Sequence, residues 1–242
     1  MHPQHVDLLQ ALKALVPPDR PVADNYHGQG AHAYLGLSVP QRRAVAKAWV
    51  TQHRRDGAEE VLGLVESLMA GSTYEEKTLG PLLLASHPAA RQAVTPAQVS
   101  GWLGGLRGWA ETDLLCQSLF PAEQLLADWT RWDHTLAAMT QAEQAERRRA
   151  SLVLLTGPVR SDGDERLLSR SLANLQVLKA DRDPLVSKAV SWLLRTLIAR
   201  HRSALDAWMA ANKGDLSAAI RREVETKLST GLKSGRSQAL EG

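Results

Sequence analysis

The chain has 242 residues, enough for one large domain or two small ones. Hydrophobic residues make up 44% and charged residues 23%, values typical of a globular protein with a substantial core. No apolar stretch approaches the length of a transmembrane helix, and the single cysteine, Cys116, excludes an internal disulfide and a cysteine-rich zinc site.

The basic residues are strongly biased towards arginine. Of the 29 basic residues 21 are arginines, although the net charge is only +3. The planar guanidinium suits bidentate contact with phosphate better than the ammonium of lysine does. The composition, with a pI of about 9.2, therefore favours a polyanionic partner. Pairing of the arginines with surface carboxylates is the alternative.

The chain is predicted to be all-α. No segment shows the alternation of a strand, and amphipathic segments are separated by Pro, Gly, Ser and Asp. In chain order, the predicted helices cover residues 3–16, 40–54, 58–70, 73–86, 96–106, 109–119, 122–132, 134–140, 142–156, 163–179, 184–201, 203–212 and 217–229.

Several of these helices have recognisable first residues. Capping boxes are predicted at three pairs: Ser38 with Gln41, Ser72 with Glu75, and Thr95 with Gln98. Prolines at or near first helical positions are Pro40, Pro96 and Pro184. Pro81 lies inside a predicted helix and predicts a kink or a break there.

A weak internal repeat is visible in the second half of the chain. RRASLVLL at 148–155 aligns with SKAVSWLL at 187–194, and this alignment pairs Arg149 with Lys188. A further shift of similar size along the chain brings Arg222 to the same place. Repeat periods of about 40 residues are typical of HEAT-like proteins, so we expect a HEAT-like helical-repeat solenoid with a concave basic face. Chance similarity among leucine-rich helices is the alternative.

The first residues of the chain bear on its location, and the last residues bear on the extent of the domain. The segment MHPQHVDLLQALKAL lacks the basic-then-apolar pattern of a signal peptide, so we expect a cytoplasmic protein, nucleoid-associated in a prokaryote. The segment STGLKSGRSQALEG is polar and rich in Gly and Ser. We therefore expect a single domain over residues 1–228 and a flexible tail over 229–242.

The segment GWAETDLL contains the most informative pair of residues. Trp109 and Asp113 are four positions apart, so on a helix they share one face. A carboxylate beside an aromatic ring can stabilise a cationic, oxocarbenium-like sugar. Pairing of Asp113 with an arginine of the next helix is the structural alternative.

A second tryptophan lies on a stripe of cations. Lys188, Trp192 and Arg195 follow one another at helical spacing, so we expect Trp192 to be at least partly exposed. The alternative is a half-buried tryptophan whose indole N–H is satisfied within the protein.

A run of three arginines precedes this stripe in the chain. Arg147, Arg148 and Arg149 point about 100° apart on a helix, so only one or two of them can bind the same phosphate. The others would pair with Glu143 or Glu146 on a solvated face, which is the structural reading of the whole run.

Four segments resemble the AlkD-like DNA alkylation repair glycosylases, an all-helical family of HEAT-like repeat proteins. They are YLGLSVPQRR at 34–43, WAETD at 109–113, RRRAS at 147–151 and SKAVSWLLR at 187–195. The resemblance covers roughly residues 5 to 228. The chain departs from the family pattern at Ser191, where the family favours glycine, and at Glu146 and Arg147, where it carries an aromatic residue.

The resemblance implies a set of functional residues. The catalytic aromatic residue and acid of the family fall on Trp109 and Asp113, and its second tryptophan falls on Trp192. Its phosphate-contacting arginine falls on Arg149. Further cations expected to contact DNA are Arg148, Lys188, Arg195 and Arg222.

The resemblance also implies the reaction. A monomeric DNA glycosylase would hydrolyse the N-glycosidic bond of cationic N3- or N7-alkylated purines in double-stranded DNA, with no metal and no cofactor. The damaged base already carries positive charge and leaves without a general acid, and the family is thought to act on an unflipped nucleotide. Two alternatives stay open: a non-catalytic HEAT-like module that binds branched or damaged DNA, and a protein-binding scaffold.

Overall fold

The computed structural model describes residues 1–17, 32–117 and 119–232, and these residues form fourteen α-helices without a strand. They divide into two compact units, Met1–Leu119 and Phe120–Gly242. The helices of the first unit are α1 (Pro3–Ala14), α2 (Val39–Gln52), α3 (Ala58–Met69), α4 (Tyr74–Ser86), α5 (Pro88–Ala93), α6 (Pro96–Leu103) and α7 (Gly108–Cys116). Those of the second unit are α8 (Ala122–Ala127), α9 (Trp129–Met139), α10 (Ala145–Ser161), α11 (Glu165–Leu178), α12 (Pro184–Leu197), α13 (Arg202–Asn212) and α14 (Ala218–Thr230). The all-α class predicted from the sequence is confirmed.

The N-terminal unit is built around α4. Every residue from Tyr74 to Leu84 is buried, because α2, α3, α5 and α7 all pack against this helix. A helix that is buried on every side normally carries only apolar residues. α4 instead carries Glu75, Glu76 and Lys77, each of which finds hydrogen-bond partners inside the unit.

The C-terminal unit stacks alternate helices. α10 packs along α12, and α12 packs along α14, while α9 and α11 form a second layer that contacts α10. Nearly every residue of α10 from Arg149 to Val159 is buried, and α12 buries one stripe that includes Ala189, Leu193 and Leu197. This arrangement of alternate helices is the helical repeat that the sequence predicted.

Two of the three predicted capping boxes are confirmed, and the third is displaced by one residue. Ser38 caps α2 and Thr95 caps α6, each with its glutamine partner. At α4, however, the box pairs Thr73 with Glu76. The predicted partner, Glu75, binds the main chain of residues 35 and 37 instead, and so it cannot also close a capping box.

Three further differences concern a proline inside a helix, a helix that the sequence did not predict, and one helix boundary. α4 runs through Pro81 without a break, because burial on all sides outweighs the loss of one main-chain hydrogen bond. α5 was not predicted; the His87 side chain caps it by accepting from the amide of Ala90, and histidine is not a common N-cap residue. The break between α8 and α9 falls at Asp128, five residues before the predicted break at position 133.

Helix α14 extends to Thr230, so the first two residues of the predicted tail are helical. Residues 233–242 of that tail lie outside the described part of the chain. In the part of the chain that the structure describes, no helix is both long and apolar enough to cross a bilayer.

Candidate functional site

Helix α7 presents the predicted aromatic and acidic residues on one face. It begins at Gly108, whose φ of 70° lies in the left-handed region that glycine tolerates best. Trp109 follows, and its side chain is 51% exposed, which is unusual for so large an apolar group. Asp113 lies one helical turn later and is half-buried. The ring and the carboxylate are therefore accessible from the same side of the helix.

The opposite face of α7 is fastened to the rest of the N-terminal unit by a buried carboxylate. Glu111 is 1% exposed and accepts hydrogen bonds from His32 Nδ1 at 2.9 and 3.1 Å. It also accepts from the amide of Arg107 at 2.8 Å, the residue that precedes the helix. These bonds fix the first turn of α7, and with it the position of Trp109.

The buried charge of Glu111 acts on Lys77 of α4. Burial lowers the pKa of the Lys77 ammonium, and the neighbouring Glu111 and Glu76 carboxylates oppose that shift. The Lys77 ammonium donates to the carbonyl of Met69, the last residue of α3. A cation at a helix C-terminus is electrostatically favourable, so this bond stabilises the packing of α3 against α4.

The segment before α2 is held in place by α4. The amides of Leu35 and Leu37 donate to the Glu75 carboxylate at 2.9 and 3.1 Å, and the amide of Tyr74 donates to the Ala33 carbonyl at 2.8 Å. The Tyr34 ring meets the Tyr74 ring edge to face, with 5.4 Å between centroids. The start of YLGLSVPQRR is thereby pinned to α4 within the N-terminal unit.

Arg42, from the same motif, is a structural residue of this unit. It is 3% exposed, its Nη1 donates to Thr78 Oγ1 at 2.5 Å, and its guanidinium lies 4.8 Å from the centre of the Tyr74 ring. Burial raises the pKa of the Tyr74 hydroxyl, and the Arg42 charge opposes that shift. The motif that supported the resemblance thus organises the interior of the unit.

In the C-terminal unit, the repeat aligns with the helix starts. Arg149, Lys188 and Arg222 are each the fifth residue of their helices, α10, α12 and α14. Their environments differ, however. Arg149 is 5% exposed, whereas Lys188 and Arg222 are exposed. Of these three cations Arg149 alone is buried, because its helix α10 is packed between its neighbours.

The three consecutive arginines have three different environments. Arg148 Nε donates to Asp181 at 2.7 Å, and its Nη1 donates to the carbonyls of residues 142 and 143 at 2.9 and 2.6 Å. Arg149 Nη1 donates to the carbonyl of Leu185, at the start of α12, at 2.5 Å. Arg147 is half-buried, and its Nε has no hydrogen-bond partner among the described residues. Arg148 and Arg149 therefore both link the start of α10 to the region where α12 begins.

The stripe on α12 runs from solvent into the protein. Lys188 is exposed, Trp192 is half-buried, and the Arg195 side chain is 14% exposed. A half-buried Trp192 fits both the expected partial exposure and the alternative of a half-buried structural tryptophan. Arg195 Nε donates to the Ser191 carbonyl at 3.1 Å and lies 3.3 Å from Ser191 Oγ. Burial lowers the pKa of Arg195, and the charge of Glu223 opposes that shift.

The predicted site residues thus fall into two groups, each within its own unit. Trp109 and Asp113 lie on α7 of the N-terminal unit, and the C-terminal unit carries Arg148, Arg149, Lys188, Trp192, Arg195 and Arg222 on α10, α12 and α14. Tyr26 and His27, in the irregular segment DNYHGQGAHAYLG whose contact with DNA the sequence alone does not decide, lie outside the described residues. Among the residues that the structure describes, no cluster of three histidine, cysteine or carboxylate side chains could hold a metal ion.

Two important residues were not singled out by the sequence. Glu111 lies in the first turn of α7, where an acid is common, and that position was its only sequence signal. Glu223 lies in an otherwise ordinary charged helix and bonds Ser191 of α12 at 2.5 Å, a contact that no local pattern could reveal.

Comparison with known proteins bears on the whole chain. A family model described as DNA alkylation repair enzyme matches residues 8–228. Among solved structures, a predicted DNA alkylation repair enzyme from Enterococcus faecalis is similar, with a TM-score of 0.65 and 16% identity over 94% of this chain and 96% of that one. At this identity the likeness shows the fold alone. No curated protein matches the chain significantly. Because the family model spans nearly all of the described helices, the chain belongs to the DNA alkylation repair enzyme family.

Proposed function

We propose that the protein is a DNA glycosylase that releases N3- and N7-alkylated purines from double-stranded DNA. The observation that carries the proposal is the pairing on α7 of a 51% exposed tryptophan with a carboxylate one turn later. Membership of a DNA alkylation repair family makes damaged DNA the natural ligand for that pair.

The chemistry of the lesion fits these groups. A purine alkylated at N3 or N7 carries a positive charge, so it leaves without being protonated. As the glycosidic bond breaks, positive charge moves onto the deoxyribose ring. The Asp113 carboxylate stabilises that charge and orients the attacking water, which is the role of a preorganised charge in catalysis. The enzyme therefore needs no general acid for the departing base.

An exposed tryptophan ring can hold a cationic nucleotide. A cation over an indole face gains roughly 0.5–2 kcal/mol, depending on how far it is desolvated. Trp109 offers such a face on α7, and the resemblance assigns the same role to Trp192 on α12. An exposed ring contacts a nucleotide without enclosing it, so the enzyme would accept alkyl groups of different sizes.

The exposed cations would hold the DNA backbone. Lys188 and Arg222 are exposed on the packed helices α12 and α14, and neither forms a hydrogen bond or an ion pair with another described residue. Each is free to neutralise a phosphate. Arg148, Arg149 and Arg195 already have protein partners, so any phosphate contact that they make would supplement those bonds. We propose that a monomer binds the duplex in this way.

The deciding experiment is base release from methylated duplex DNA. Wild-type protein should release 7-methylguanine or 3-methyladenine and leave abasic sites. Asp113→Asn, which keeps the shape and removes the charge, should bind the same duplex with similar affinity and lose most of the release. Asp133→Asn is a suitable control, because Asp133 pairs with Arg170 on the α9–α11 layer. Binding without release by the wild type would instead support the non-catalytic DNA-binding alternative.

A further inference from the structure

A hydrogen-bonded group joins α12 to α14 directly beside Trp192. Ser191 precedes this tryptophan and is 2% exposed. Its hydroxyl donates to Glu223 Oε2 at 2.5 Å, a short bond of the kind that a hydroxyl makes to a carboxylate. The Glu223 side chain is 40% exposed, so its carboxylate reaches the buried hydroxyl from the protein surface.

Arg195 completes the group from the next turn of α12. Its Nε donates to the Ser191 carbonyl at 3.1 Å and approaches Ser191 Oγ at 3.3 Å, while its Nη2 lies 3.7 Å from Glu223 Oε2. The guanidinium is thus folded back onto its own helix. The turn that carries Trp192 is bracketed by Ser191 on one side and by Arg195 on the other, and both contact Glu223.

The charge of Glu223 argues against a role in gripping DNA. It is adjacent to Arg222, one of the cations proposed to meet a phosphate, and a carboxylate at that place repels a polyanion. Its contribution must therefore be sought in what it touches inside the protein. Those contacts are Ser191 and Arg195, one residue before and three residues after Trp192.

We propose that Glu223 is a positioning residue for Trp192. By holding the Ser191 hydroxyl and the Arg195 guanidinium, it fixes the turn of α12 against α14 and so sets the orientation of the Trp192 ring towards the damaged nucleotide. This inference rests on the proposed function. A displacement of about 1 Å at a reacting centre can lower a rate by up to about 100-fold, so a single anchor of this kind is worth testing.

Two substitutions of Glu223 separate its charge from its anchoring bond. Glu223→Gln keeps an oxygen that can accept from the Ser191 hydroxyl, whereas Glu223→Ala removes the acceptor. Both remove a negative charge and should tighten binding to undamaged duplex by about 2- to 4-fold. Single-turnover excision should fall about 10-fold in Glu223→Ala and stay near the wild-type rate in Glu223→Gln. Slower excision with tighter binding is an outcome that simple unfolding would not produce.

Ser191→Ala is the matched control on the other side of the bond. It removes the hydroxyl without changing the charge, so excision should fall as in Glu223→Ala while duplex binding stays unchanged. If Ser191→Ala excises at the wild-type rate, the bond does not position the ring and the inference is overturned.

A double-mutant cycle with Trp192→Ala tests whether Glu223 acts through the ring. In the Trp192→Ala background, Glu223→Ala should lower excision no further. An equal loss in both backgrounds would show that Glu223 acts elsewhere, and would overturn the inference. Wild-type protein that releases no alkylated purine would overturn the proposed function and this inference together, whereas an active wild type with a fully active Glu223→Ala would overturn the inference alone.

Discussion

Lys188 and Arg149 occupy the same place in successive repeats, and their substitution by alanine should have opposite consequences. Lys188 is exposed and has no partner among the described residues, so Lys188→Ala should change the free energy of unfolding by less than about 0.5 kcal/mol. Arg149 is 5% exposed and donates to the Leu185 carbonyl at 2.5 Å. Loss of such a charge-assisted bond should cost about 1.5–3 kcal/mol of stability.

The effect of Lys188→Ala should appear in DNA binding instead. Each phosphate contact adds about 0.9 to the slope of log affinity against log salt. Loss of one contact therefore makes the affinity deficit about 3- to 4-fold larger at about 50 mM than at about 200 mM salt. Arg149→Ala should lower the slope by the same amount only if Arg149 reaches a phosphate while keeping its bond to α12.

Fluorescence-anisotropy titrations of one duplex at four salt concentrations, together with urea unfolding of both variants, would measure these quantities. Lys188→Ala with an unchanged salt slope would remove Lys188 from the DNA-binding surface. Arg149→Ala with wild-type stability would show that the buried bond between α10 and α12 contributes nothing, and the two positions would then be equivalent after all.

Three further predictions follow from the two units. Trp192→Ala should lower the single-turnover excision rate about 10-fold, the equivalent of one cation–π contact. In denaturant melts it should lower the free energy of unfolding by less than the roughly 3–5 kcal/mol that loss of a core tryptophan costs. Glu111→Ala should lower the free energy of unfolding by about 1–3 kcal/mol, because the His32 ring and the Arg107 amide lose their acceptor. It should also slow excision by loosening α7. Unchanged denaturant melts would show that Glu111 does not anchor the helix. Burial would raise the pKa of Glu76, but hydrogen bonds from Thr73 and interactions with the His5 ring together outweigh it and hold that pKa below its usual range. The ionised Glu76 therefore stabilises the fold above its unfolded-state pKa, and this contribution is lost as the pH falls through the lower folded-state pKa. In urea unfolding between about pH 3 and 6, the free energy of unfolding should fall less steeply with acid in Glu76→Gln than in the wild type.

Local patterns sufficed for the helices whose ends carry their own signals. The boxes at Ser38 and Thr95 depend only on residues three apart, and both were predicted correctly. The box at α4 was displaced because Glu75 is taken by amides that are distant in the chain, a contact that no local pattern contains. The prediction of a bend or break at Pro81 failed for a similar reason. The burial that keeps α4 continuous depends on the packing of the whole unit, which the local sequence does not show.

In the candidate site, too, the features that depend on local spacing were predictable and those that depend on long-range packing were not. The shared face of Trp109 and Asp113 followed from their spacing, because α7 is a regular helix. The different environments of Arg147, Arg148 and Arg149 could not be read from the sequence. They depend on where α12 begins beside α10, which brings Asp181 and Leu185 within reach of two of the three guanidinium groups.

The fifth-residue position of the repeated cations has a consequence for changes in chain length. Helices α10, α12 and α14 begin at Ala145, Pro184 and Ala218, so their starts are unequally spaced, yet the cation keeps its place in each helix. The segments that connect these helices therefore differ in length, while the distance from each helix start to its cation does not change. Natural or engineered insertions in the loops and helices that connect α10, α12 and α14 should therefore leave the direction of these side chains unaltered. A single residue inserted between Pro184 and Lys188 would instead turn the lysine by about 100° around the helix axis.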